Sequence, residues 1–158
     1  MKYNLDSSLL KRKNFAPNEF FVSDTARRLG VDNYPSPNEE QEILLNLSST
    51  ADMMQEIRTI LGKSVTINSA YRCKIVNDAV GSSDRSQHKQ GLACDFTCSG
   101  FGTPEEIVKL LHEKGFVADQ AFNEGSWVHI SRKIEGKNRM MYGYYLPDEN
   151  GKRSFKAI

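Results

Sequence analysis

The stretch Ser86-Gln-His88-Lys-Gln-Gly91-Leu-Ala-Cys-Asp95, completed by Trp127-Val-His129, constrains the fold of this chain more than any other part of it. It carries two histidines and an acid among small residues and short runs of strand type. His88 and Asp95 lie seven residues apart, so simple i, i+4 spacing does not bring them onto one helical face. They converge if His88 ends a loop and Asp95 lies on the strand that follows. Leu92–Cys98 reads as such a strand, because its side chains alternate and Gly91 bends the chain into it. His129 sits in a second run of β-type residues, Trp127–Ser131. If the two strands are neighbours, His88, Asp95 and His129 point at one spot. Three N/O donors with one open position suit a catalytic zinc ion.

Composition removes several other classes. A chain of 158 residues is long enough for one domain, 1–158, with a real core. Its expected parts are an N-terminal arm (1–36), a long scaffold helix (37–62) and a zinc-site region of sheet and helices (64–145). A net charge of +1 gives no reason to expect nucleic acid or an anionic membrane as partner. No apolar run has transmembrane length, and Met1–Asp6 lacks the hydrophobic core of a secretory signal. The expectation is synthesis in the cytoplasm without a signal peptide or membrane insertion. Three cysteines, an odd number, argue against a disulfide framework. Cys94 and Cys98 share a strand face but stand about 13 Å apart at roughly 3.3 Å per residue. Cys73, Cys94 and Cys98 therefore read as buried small side chains.

In the arm, Ala16–Val22 supplies an apolar patch, Ser23 or Asp24 caps a turn through Leu29, and Gly30 stops it. Asn33–Pro37 is loop. Ile43, Leu47, Ala51, Met54, Ile57 and Leu61 then recur at three- and four-residue steps, which predicts a long helix ending at Gly62. Val65–Ile67 reads as a strand and Cys73–Val80 as a short helical turn. Thr103-Pro-Glu-Glu106 is a helix start with Thr as N-cap, and Gly115 ends that helix. His112 on it reads as a solvated surface histidine. Phe116–Phe122 suggests a strand, Asn123–Ser126 a hairpin turn, Arg139–Tyr145 a last strand and Asp148–Arg153 a polar turn. By position alone, Arg72 reads either as the partner of a surface acid or as a bidentate holder of a substrate oxygen.

The composite motif says more than its spacing. Ser86-x-His88-x-x-Gly91-x-Ala93-x-Asp95, followed by Trp127-x-His129, resembles the zinc D-alanyl-D-alanine carboxypeptidases and their relatives. Those relatives include the dipeptidases of vancomycin resistance and the L-alanyl-D-glutamate peptidases of phage endolysins. Ser69-Ala-Tyr-Arg72 is similar to that family's Ser-Gly-Tyr-Arg element, with Ala70 in place of Gly. Val76-Asn77, Ala79–Ser83 and Asp119-Gln120 resemble a phage and bacterial branch. The likeness spans residues 15–145.

This resemblance implies a hedgehog/DD-peptidase-like α+β fold: a small antiparallel sheet with packed helices and the zinc site on the open face. It implies zinc ligands at His88, Asp95 and His129, with Arg72 stabilising an oxyanion or holding a substrate carboxylate. Ser86 and Trp127 would lie beside the substrate. The activity implied is hydrolysis of peptide bonds in peptidoglycan stem peptides or cross-links, by a monomeric phage lysin or virion-associated enzyme acting at the cell wall. One position departs from the pattern. Relatives often place the general base three residues before the last histidine, and here that residue is Ser126. Glu124, four residues after Gln120, fits the spacing of the phage and bacterial branch and is the candidate base, with Asp119 in reserve. If neither serves, the alternative is a zinc-stabilised binding or structural module without turnover.

Overall fold

The computed structural model describes residues 9–158. The part of the arm before Leu9, including Met1–Asp6, lies outside the described residues. A 3-10 turn at Pro17–Phe21 leads to helix α1, Asp24–Leu29. Ser23, not Asp24, is its cap, because the serine hydroxyl accepts from the Ala26 N–H. Leu10, Phe15, Phe20 and Phe21 all enter the core, so the arm packs over it. Within the arm Asn33 acts as a brace. Its amide donates to the Phe21 and Tyr71 carbonyls and its oxygen accepts from the Cys73 N–H. The segment that carries Arg72 is thereby held in place.

Helix α2, Glu40–Leu61, is the predicted long helix, and Ile43, Leu47, Ala51, Met54, Ile57 and Leu61 are its buried stripe. Strand β1 (Thr66–Ser69), helix α3 (Lys74–Ala79) and strand β2 (Ala93–Thr97) follow. Helix α4, Pro104–Glu113, starts at the expected cap: Thr103 accepts from the Glu106 N–H, and Glu106 accepts from the Thr103 N–H. Strands β3 (Gln120–Asn123), β4 (Val128–Ser131), β5 (Met141–Pro147) and β6 (Arg153–Ala157) complete the chain. Cys94 and Cys98 are buried as expected, whereas Cys73 is only half-buried; all three are free thiols.

The six strands form one sheet in the order β1-β2-β4-β3-β5-β6. Two expectations need correction. The sheet is mixed, not wholly antiparallel, because β5 runs parallel to β3. β4 ends at Ser131, opposite Gln120 at the start of β3. The loop 132–140 then carries the chain past that end of β3, and β5 begins with Met141 on the other side of Gln120. A reversal that skips one strand leaves the new strand parallel to the one skipped. The sheet also continues beyond residue 145. Asp148 Oδ1 accepts from the Asn150 and Lys152 N–H groups, turning the chain into β6 antiparallel to β5.

Alternation gives the sheet two faces. Cys94, Phe96, Val128, Ile130, Ala121 and Tyr142 join the core with residues of α2 and α4. Asp95, His129, Gln120 and Phe122 occupy the other face. Among the glycines the tightest site is at the β5–β6 edge, where a Cβ on Gly143 would strike the Lys156 carbonyl and the Phe155 ring. Gly143→Ala is therefore expected to destabilise the protein by about 2–3 kcal/mol through overpacking. A urea-denaturation midpoint equal to that of the wild type would contradict this close approach.

Candidate metal centre

Asp95 on β2 and His129 on β4 are direct cross-strand partners, so their side chains leave the sheet on the same face. His88 comes from the loop before β2. This loop is fastened to α2, where Thr50 Oγ1 donates to the Gly91 carbonyl at 2.7 Å and Asn46 donates to the Gln90 carbonyl at 2.8 Å. Gly91 has φ +78, and a Cβ there would stand 3.1 Å from Leu47 Cγ. Only glycine both turns the chain here and lets it lie this close to the helix. The Arg72 N–H donates to the His88 carbonyl at 3.1 Å, which ties the β1 exit to the same loop.

The three candidate ligands meet. Their ligand atoms all lie within 4.8 Å of one another. His88 Nε2 is 3.1 Å and His129 Nδ1 is 2.9 Å from Asp95 Oδ1. The opposite ring nitrogens have partners of their own. His88 Nδ1 donates to the Ala70 carbonyl at 2.7 Å, and His129 Nε2 donates to Gln120 Oε1 at 3.0 Å. A backbone carbonyl can only accept, so His88 carries its proton on Nδ1 and turns a bare lone pair on Nε2 inward. His129 is placed alike with its nitrogens exchanged: Nε2 meets the Gln120 amide oxygen, and Nδ1 faces Asp95.

Two lone pairs and a carboxylate oxygen thus face one another, an arrangement that repels unless a cation sits among them. Ionisation fits the same need. Burial pushes the His88 imidazole down from its ordinary pKa, which favours the neutral ligand form. Burial alone would raise Asp95, but protonated His88 and His129 rings facing it outweigh burial and hold the carboxyl below the usual range, the same effect a cation at that point has. Two imidazole nitrogens and an ionised carboxylate suit a divalent zinc ion, and the outer hydrogen bonds supply the orientation that metal-binding histidines require.

The donors lie in an open cleft of about 820 Å³. Arg72, Ser86, Glu124 and Trp127 also line it, so every residue singled out for the site is brought to one place. Glu124 is in the β3–β4 turn, where its N–H donates to the Trp127 carbonyl at 3.0 Å. Its Oε2 is 3.9 Å from His129 Nδ1. Burial raises the Glu124 pKa, Asp95 adds to the rise, and neighbouring positive charge, Arg153 included, opposes it. The result lies above the ordinary carboxylate value, the direction a general base at neutral pH requires. Arg72 lines the cleft and is half-buried there, which puts a cationic donor beside a ligand oxygen; its Nε is buried with no hydrogen-bond partner among the described residues.

Asp119 does not fit the reserve role. It is fully buried and accepts from the Arg139 backbone and guanidinium and from Gln87 Nε2, with Lys133 3.6 Å away. Its function is to join segments: Gln87 precedes His88, Gln120 follows Asp119 and holds His129, and Arg139 leads into β5. Sequence reasoning paired Asp119 with Gln120 only as a likeness, and missed that one braces the loop while the other orients a histidine. The signal was their position at the start of the strand beside His129. His112 is exposed and stacks near Tyr142, away from the cluster, as expected.

A two-histidine, one-carboxylate cluster with a neighbouring glutamate in an open cleft defines the class of mononuclear metallohydrolases. The family model described as Peptidase M15 matches residues 13–131, most of the chain. The chain belongs to the Peptidase M15 family, whose members are zinc peptidases, and is a zinc metallopeptidase by that membership. No curated protein matches the chain. No helix among the described residues is long and apolar enough to cross a membrane.

The Asp119 network has a pH signature. Burial would raise this carboxyl, but the Arg139 and Gln87 hydrogen bonds outweigh it and hold the pKa at about 2. A depressed carboxyl stabilises the fold above its unfolded pKa, and the contribution disappears as pH falls through the folded value. Wild-type stability should thus drop by about 2 kcal/mol between roughly pH 4 and pH 2 from this group alone. Asp119→Asn should be less stable at neutral pH and flatter across that window. Thermal unfolding of both proteins from neutral to acid pH checks it; parallel curves would contradict the assignment.

Proposed function

We propose that this zinc peptidase hydrolyses peptide bonds of peptidoglycan stem peptides or cross-links, bonds that involve D-amino acids. His88, Asp95 and His129 hold the zinc, Glu124 is the general base, and Arg72, Ser86 and Trp127 contact the peptide. The observation that carries the reading is the convergence of two bare imidazole nitrogens and a carboxylate at one point, with Glu124 Oε2 3.9 Å from His129 Nδ1. The lining of the cleft supports an acidic peptide as substrate. Of its five cations, Arg139 and Lys133 pair with the buried Asp119 and Arg153 with Glu124, while Arg72 and Arg85 add positive charge beside Asp95. Stem peptides carry several carboxylates. The motif resemblance to endolysin peptidases supports a phage lysin or virion-associated enzyme that works as a monomer at the cell wall.

Zinc, when bound, supplies a Lewis acid for the scissile carbonyl and acidifies a water at neutral pH. Glu124 accepts a proton from the attacking water and returns it to the leaving amine nitrogen. Arg72, with its unpaired Nε, donates to the carbonyl oxygen as negative charge develops or to a substrate carboxylate. Gln120 and the Ala70 carbonyl keep the two imidazoles in the tautomers that bind metal. Serine at position 126 would by itself favour a zinc-stabilised module without turnover. The approach of Glu124 from two residues earlier in the turn supports hydrolysis instead.

The purified protein should contain about one zinc per chain by elemental analysis and release amines from purified peptidoglycan in a chelator-sensitive manner. Glu124→Gln should lower turnover about 10²–10⁴-fold with zinc retained, and His88→Ala should lose the zinc. Zinc without amine release would overturn the enzymatic reading; undiminished zinc in His88→Ala would overturn the metal assignment. Gln120→Ala should weaken zinc binding about tenfold or more in competition with a chelating dye, with the circular-dichroism spectrum unchanged. Unaltered affinity would remove Gln120 from the site.

A further inference from the structure

We infer that Arg153 is a positioning residue that fixes the Glu124 carboxylate for proton transfer, which makes the C-terminal β5–β6 hairpin part of the active site. This rests on the proposed role of Glu124 as base. The matched family segment ends at residue 131, so the hairpin lies entirely beyond it. Arg153 is the first residue of β6 and pairs in register with Pro147. Its Nη1 is 3.4 Å from Glu124 Oε1 and donates to the Tyr145 carbonyl at 2.9 Å. Its guanidinium carbon stands 5.7 Å from the centre of the Trp127 ring. The side chain therefore touches the turn at both ends and is itself anchored to β5.

Glu124 needs such an anchor. Backbone bonds hold the turn, through the Glu124 N–H to Trp127 and the Gly125 N–H to Asn123 Oδ1 at 2.8 Å. They do not fix the terminal carboxylate torsion, which is soft; the Trp127 indole and Arg153 are the side chains beside it, and Arg153 is the charged one. Arg153 takes one oxygen, Oε1, and so directs the other, Oε2, to His129 Nδ1. The Glu124 side chain is only 14% exposed and that of Arg153 37%. Partial removal from water makes this pair stronger than a free surface pair. The same arginine could instead bind substrate directly, and the two roles separate in kinetics: orienting the base acts on kcat, whereas holding substrate acts on KM.

The experiment measures kcat and KM for amine release from soluble muropeptides prepared from purified peptidoglycan, together with zinc content, for the wild type, R153A, R153M, R153K and E124Q. R153M keeps the alkyl stem over Trp127 and removes only the charge, which guards against a packing defect in R153A. The expected result is a kcat about tenfold or more lower in R153A and R153M, with KM within roughly twofold and zinc unchanged. R153K should regain most of the lost turnover. A wild-type kcat in R153M, a raised KM with kcat intact, or loss of zinc in step with kcat would each overturn the positioning role. Wild-type turnover in E124Q would instead sink the assignment of the base itself. An inactive E124Q beside a fully active R153M would sink only the inference about Arg153.

Discussion

Three electron-rich atoms directed at one point, His88 Nε2, His129 Nδ1 and Asp95 Oδ1, set the terms for the rest of this structure. Such a cluster repels itself and persists only where the surrounding fold holds each side chain rigidly, or where a cation compensates. The fold does the holding at every side. Antiparallel pairing of β2 with β4 sets Asp95 opposite His129, α2 secures the His88 loop through Thr50 and Asn46, and the Ala70 carbonyl and Gln120 lock the two rings. Asn33 and Asp119 carry the restraint one layer further out, to the Arg72 segment and to the start of β5. Preorganisation of this kind is what lets a site bind metal without reorganising the ligands.

The parts of the structure set by periodicity were legible in the sequence. The 3.6-residue stripe of α2, the capped start of α4 and the alternation around Asp95 and His129 each follow from local rules, and each is found where expected. Convergence of Asp95 and His129 was legible for the same reason, from alternation on two neighbouring strands; that of His88, which lies on a loop, rested on the bend at Gly91. What was not legible depends on contacts distant in sequence. The parallel pairing of β5 with β3 arises from the path of the 132–140 loop and from Arg139 closing on Asp119, 20 residues earlier. β6 reads as polar chain because only Phe155 on it is turned toward an aromatic neighbour, Phe122. Asn33 reads as an ordinary loop residue, yet its bonds reach Tyr71 and Cys73, some 40 residues away.

At the proposed general base, geometry adds to what spacing leaves open. The β3–β4 connection pairs Asn123 with Val128, so residues 124–127 form the turn itself. Ser126, at the position where relatives often carry the base, lies on the exposed side of this turn. Glu124, on its first residue, folds back toward His129 and away from solvent. In this chain the carboxylate near the cluster therefore comes from the first limb of the turn. This limb faces β5 and β6, so a base placed there sits beside a wall that those strands must complete. Tyr145, Phe122 and Arg153 form that wall in this chain. The reach of Glu124 to His129 and the hold on its outer oxygen thus come from different parts of the chain: the first from the turn itself, the second from Arg153 on β6, the one cation within ion-pair distance of that oxygen among the described residues.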